Sequence, residues 1–146
     1  MKVGLLDVDG HNFPNLPLMK ISAYHKARGD DVEWVNLFEH YDKVYQSKVF
    51  TFTPDFEYFI DADEIQKGGT GYGLNNSLPY DIEHCYPNYG LYPEYKEAYG
   101  FLTRVCPRAC EFCIVSEKEG RKSVKAADLD EFWKGQNTIK LLDPNL

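Results

Sequence analysis

The sequence predicts an α/β fold in two parts: a small parallel sheet, then a second α/β unit that opens near residue 99 and stops early. Three observations predict it. Short apolar runs bounded by turn residues recur in the first half, with a helical segment between the first two. A proline- and tyrosine-rich stretch, 79–98, then interrupts the pattern. A strand-like run follows and leads into three closely spaced cysteines, Cys106, Cys110 and Cys113.

The elements can be justified in order. Val3, Leu5, Leu6 and Val8, closed by Asp9-Gly10, read as a buried strand. Asn15 is placed as a helix N-cap, with Pro17 just inside, where its missing N–H costs nothing. Leu16, Met19, Ala23, Lys26 and Ala27 follow helical spacing, widened by Ile21 and Tyr24, and Gly29 suits the position after the helix. Val32, Trp34 and Val35 mark a second strand over 31–36, and the alternation from Lys43 to Phe50 marks a third. Thr53-Pro54-Asp55 is expected to cap a short helix through Phe59. Residues 63–67 are expected to form a strand ending in Gly68-Gly69-Thr70-Gly71-Tyr72-Gly73. A strand, a helix and a strand with short connections are a βαβ unit, typical of a small Rossmann-like or flavodoxin-like sheet. Residues 1–78 are assigned to it and 79–98 to an aromatic-rich linker. In the last part, 99–146, the expectations are a strand over 98–104, a charged turn over 117–121, a helix over 125–134 and a strand over 137–142.

Composition narrows the function classes. A net charge of −7 argues against binding nucleic acid through its phosphates, and no direct DNA binding is expected. No apolar run is long enough to span a membrane. Lys2 to Asp7 turns acidic too soon for a signal peptide, so the expected location is the cytoplasm. In that compartment, clustered cysteines bind metal or do redox chemistry more often than they form disulfides.

The cysteines stand at C-x3-C-x2-C, with Phe112 before the third. A zinc site would need a fourth ligand, which Cys85 or His84 could supply, making the chain a zinc-stabilised module that binds a small molecule or protein without catalysis. A disulfide leaves an odd cysteine. A [4Fe-4S] cluster on three thiolates leaves one iron open to a small molecule, and the unequal short spacings in a loop after a strand favour it.

Cys106-x3-Cys110-x-Phe112-Cys113 resembles the signature of the radical S-adenosylmethionine superfamily, whose cluster loop follows the first strand of a (β/α) barrel. The resemblance implies that Cys106, Cys110 and Cys113 hold a [4Fe-4S] cluster. Its open iron would bind the amino and carboxylate groups of S-adenosylmethionine. An electron from a donor protein would then cleave the sulfonium to a 5′-deoxyadenosyl radical that abstracts hydrogen from a small-molecule, peptide or RNA substrate. Phe112 would line the adenine side. Asp143 and Asn145, after the second barrel strand, would stand where the family presents polar groups to the methionine amine, often a Gly-Gly-Glu. The barrel needs more β/α units than 99–146 holds, which implies a truncated gene, a fragment, or a second chain completing it.

The N-terminal unit resembles the cobalamin-binding domain found ahead of such barrels, which implies cobalamin as a further cofactor. Asp9-Gly10-His11-Asn12-Phe13-Pro14 is close to D-x-H-x-x-G but has Pro14 for the glycine, and a turn histidine near a helix N-terminus is the preferred reading of His11. Gly68 and Gly69 would let the backbone approach a flat cofactor at the sheet's carboxyl edge, or simply serve a tight turn. A cobalamin- or nucleotide-binding domain with vestigial cysteines is a third reading.

Overall fold

The structure is a computed structural model that describes residues 1–11 and 13–144. The chain is mixed α/β and divides into two units, Met1–Leu91 and Tyr92–Leu146.

The first unit is built on a four-stranded, all-parallel sheet in the order β2-β1-β3-β4, compatible with a Rossmann-like unit. Its strands are β1 (Lys2–Asp7), β2 (Asp31–Trp34), β3 (Tyr41–Ser47) and β4 (Ala62–Gly68). Helix α1 (Leu16–Ala27) joins β1 to β2. Asn15 caps it by accepting the Leu18 amide at 3.2 Å, and Gly29 at φ +82° lets the chain leave it. The buried face of α1 is Leu16, Leu18, Met19, Lys20, Ile21, Ser22 and His25, whereas the expected Lys26 and Ala27 are exposed. Val3, Leu5 and Tyr45 of the sheet pack with Leu18, Ile21 and Ile82 on this side.

The opposite face is covered without a helix. Tyr41, Val44 and Ile60 form its core, with Val35 and Phe56 against it. Residues 35–40 carry the chain from β2 to β3. They cross β1 closely: a Cβ on Gly4 would stand 2.9 Å from Val35 Cγ2. The helix expected over 53–59 is absent, and an extended segment takes its place. Asp55 explains the difference. Its carboxylate accepts the next amide, of Phe56, at 2.9 Å, a local bond that competes with helix formation.

The segment expected as a linker is divided. Helix α2 (Tyr80–Glu83) puts Ile82 into the core beside α1, and the Asn88 amide bonds to the Met19 carbonyl at 3.0 Å. Residues through Leu91 therefore belong to the sheet unit, because their apolar side chains complete its core.

In the second unit, β5 (Ala98–Gly100) runs parallel to β8 (Ile139–Leu141), and β6 (Thr103–Arg104) is antiparallel to β7 (Val124–Lys125). The single strand expected over 98–104 is thus broken at Phe101 and Leu102. The charged turn expected at 117–121 is instead the end of helix α3 (Val115–Glu119). The helix expected over 125–134 is replaced by β7 and a 3-10 turn, Leu129–Glu131, whose Asp128 and Glu131 cap each other. That turn delivers Phe132, which is 2% exposed, onto Gly100. A Cβ on Gly100 would lie 2.3 Å from the Phe132 ring, so β5 needs glycine there. Among the described residues, no helix is long and apolar enough to cross a membrane.

Candidate metal centre

Residues 105–114 form a loop outside any helix or strand, between β6 and α3. All three of its cysteines are half-buried free thiols. The Cys113 amide bonds to the Cys110 carbonyl at 3.0 Å, making a turn, and Ser116 Oγ donates to the Cys113 carbonyl at 3.3 Å. Two non-glycine residues beside cysteines have left-handed backbones: Val105 at φ +75° and Ala109 at φ +48°. Val105 is β-branched and 3% exposed, so its conformation is imposed, at roughly 1–3 kcal/mol.

Two carboxylates fasten the stem of this loop. Asp143, just after β8, accepts the amides of Leu102 at 3.0 Å and Thr103 at 2.6 Å, and the Thr103 hydroxyl at 2.7 Å. The break between β5 and β6 turns these amides towards it. Glu119, at the end of α3, accepts Arg104 Nη1 at 3.1 Å with one oxygen and the Val105 amide at 3.1 Å with the other. Arg104 also lies over the Phe101 ring, 4.0 Å from its centre. The charged turn expected over 117–121 does not single out Glu119. The signal for it, an acid four residues after an apolar Val115 in a short helix, is too common to stand out.

The sulfurs of Cys106, Cys110 and Cys113 do not gather within 4.8 Å of one another. Four thiolates on one zinc, at bonds of about 2.3 Å, would lie about 3.8 Å apart. A cubane instead binds each thiolate at a different iron, which keeps the sulfurs apart. Three thiols on one half-exposed loop match a [4Fe-4S] cluster in donor chemistry. Cys85 belongs to the other unit. Its thiol points to the Asp81 carbonyl at 3.1 Å, and burial pushes its pKa up, away from the thiolate a metal ligand requires.

Phe112 is 94% exposed, with its ring open to solvent. Asp143 is at the expected strand end, but its oxygens serve the backbone of the loop stem. Asn145 lies outside the described residues.

Gly68 and Gly69 stand in the first unit, at the carboxyl edge of the sheet. Nothing approaches Gly68. Gly69 has φ +94°, and a Cβ there would meet the Lys48 carbonyl oxygen at 2.3 Å. The protein's own chain thus accounts for Gly69. The same edge carries further polar groups. Asp9 is 3% exposed and accepts the Val49 and Phe50 amides at 2.8 Å each. Burial pushes its pKa up, but those amides outweigh it and leave the carboxyl below the usual range. Asn15 donates to Ser47 Oγ at 2.9 Å. Asp55 takes a bond from Lys67 at 2.6 Å, one from the Tyr72 hydroxyl and one from Gln46 at 2.7 Å. Lys67 and then Tyr72 hold Asp55 far below the usual carboxylate range, while burial and Asp55 push Tyr72 up to about 12. His11 is exposed with φ 35°.

Among the described residues, one set of candidate ligand atoms does converge within 4.8 Å: His40, Asp42 and Asp63, all exposed, at the amino ends of β3 and β4. His40 pairs with Asp61 at 3.1 Å and Asp63 at 3.7 Å, and Asp42 accepts the Lys2 amide at 2.5 Å. Ion pairing explains this convergence.

Compared with known proteins, the chain matches no family model, no curated protein and no solved structure.

Proposed function

We propose that this chain belongs to a radical S-adenosylmethionine enzyme, with Cys106, Cys110 and Cys113 as the ligands of a [4Fe-4S] cluster. The carrying observation is the C-x3-C-x2-C spacing with Phe112, in a loop fastened at its stem by Asp143 and Glu119. The parallel pairing of β5 with β8 supports 99–146 as the opening of the barrel, with the further β/α units supplied by this polypeptide or a second one. When bound, the cluster supplies the electron for reductive cleavage of S-adenosylmethionine.

The chain's own residues have separable tasks. The three thiols hold the cluster at one end of the barrel opening. Phe112 offers an uncovered aromatic face for an adenine ring to cover. Asp143 holds the first and second barrel strands in register at the loop's foot and does not meet the methionine amine.

Anaerobic reconstitution with iron and sulfide tests the reading. The expected product is brown, with about four irons and four sulfides per chain, and no cluster forms when any one of Cys106, Cys110 or Cys113 becomes Ala. Cys85→Ala should leave loading unchanged. A colourless protein that holds one zinc, and loses it in Cys85→Ala, would replace this reading with the structural zinc module.

A further inference from the structure

Residues 106–114 carry all three cysteines and have no ladder bonds to fix their shape. What fixes its shape lies at its two ends. It begins at Val105, buried and left-handed, and it ends where α3 begins. Glu119, in the last turn of α3, returns to Val105 and accepts its amide at 3.1 Å. The side chain thereby closes the segment 105–119 into a ring containing all three cysteines. The other Glu119 oxygen is held by Arg104 at 3.1 Å, and Arg104 is in turn fixed over Phe101 at 4.0 Å. The Glu119 side chain is only 18% exposed, so this fork is partly shielded from water and its bonds are strengthened. A β-branched residue leaves the left-handed region unless something holds it there, and the acceptor for its N–H is Glu119.

We infer that Glu119 is a positioning residue: by holding the Val105 amide it presets the cysteine loop for cluster capture. This rests on the cluster reading above and adds to it a residue outside the cysteine motif. Glu119 touches neither metal nor substrate. It acts through Val105, the residue next to Cys106.

The test uses the full chain and separates the clamp from the cluster. In the metal-free protein, trypsin cutting after Arg108, which is exposed within the loop, reports loop opening. Glu119→Ala should raise that cutting roughly fivefold and slow iron–sulfide loading by a similar factor, with the same final iron content. Glu119→Gln keeps an acceptor for the Val105 amide and loses the charge on Arg104. It should fall between wild type and Glu119→Ala in both cutting and loading. In the unaltered apo chain, the Val105 amide should exchange with deuterium at least roughly tenfold more slowly than the amides of residues 108–112.

Wild-type cutting and loading in Glu119→Ala would overturn the inference. So would Glu119→Gln behaving like Glu119→Ala, since the ion pair rather than the amide would then matter. If Glu119→Ala fails to fold, fast exchange at Val105 in the unaltered chain overturns it and slow exchange supports it. If the unaltered chain takes up no iron, the cluster reading falls, and with it capture as the purpose of the clamp. The cutting and exchange rates then decide only whether Glu119 fastens the loop.

Discussion

In residues 1–91, β1 is paired with β2 over Lys2–Leu5 and with β3 over Val3–Asp7, and two apolar clusters cover the two faces of the sheet. Among the described residues of 92–146, no strand exceeds three residues, and the buried apolar side chains are Ala98, Tyr99, Val105 and Phe132. Backbone ladders and area buried from water hold the first region. The second depends on single side chains at single points: Phe132 on Gly100, Asp143 on Leu102 and Thr103, and Glu119 on Arg104 and Val105. Distributed contacts make a region tolerant of change; point contacts make it sensitive but leave the loop between them free for chemistry.

The largest effect expected from this contrast is at Gly100. Gly100→Ala drives a methyl into the Phe132 ring and should cost about 3 kcal/mol. Hydrogen exchange should accelerate in β5 and β8 and stay unchanged in β1; an equal loss in β1 would show that the two regions open together. Next is Asp143→Ala, which strips three bonds from the loop stem and should cost about 2 kcal/mol by urea denaturation.

In the first region, Asp9→Asn should cost about 1.5 kcal/mol at neutral pH, because a carboxamide accepts the two amides less well. It should also blunt acid unfolding. Asp9 and Asp55 both have folded pKa values below the ordinary 3.8. Their stabilisation is therefore complete above about 4 and is lost as acid protonates them below that value. A stability–pH curve of the 1–91 region that stays level below pH 4 would contradict both carboxylate assignments. The smallest effect is at Asn15. Replacing it by Ala removes the cap on Leu18 and the bond to Ser47, for about 1 kcal/mol, read as a lower melting temperature.

The contrast also decides what could be read from sequence. The parallel sheet was legible because apolar runs and turn residues report burial directly: Val3 and Leu5, Asn15 with Pro17, and Gly29 all do what their types suggest. The face of α1 was misjudged because Lys20, Ser22 and His25 are buried by partners distant in sequence, such as Glu83, Asn88 and Tyr45. The helix expected over 125–134 failed because Val124 and Lys125 pair with β6 and Phe132 is drawn to Gly100, both tertiary demands that override local propensity. In the metal centre, the cysteines were visible as a motif. Glu119 and the clamping role of Asp143 were not, because a carboxylate that accepts backbone amides leaves no pattern in composition or period.

The clamp at Asp143 also imposes an order in time. Its bond to the Thr103 amide spans 40 residues of chain. During synthesis from the amino terminus, Cys106, Cys110 and Cys113 leave the ribosome first, Glu119 follows, and Asp143 comes later still. The nascent thiols therefore pass through an interval on an open chain, when oxidants and stray metal ions reach them unhindered. The loop acquires its shape in two stages, first as a ring closed by Glu119 and then as a ring tied to the strand end by Asp143. Only after the second stage is the loop held at both its stem and its far end.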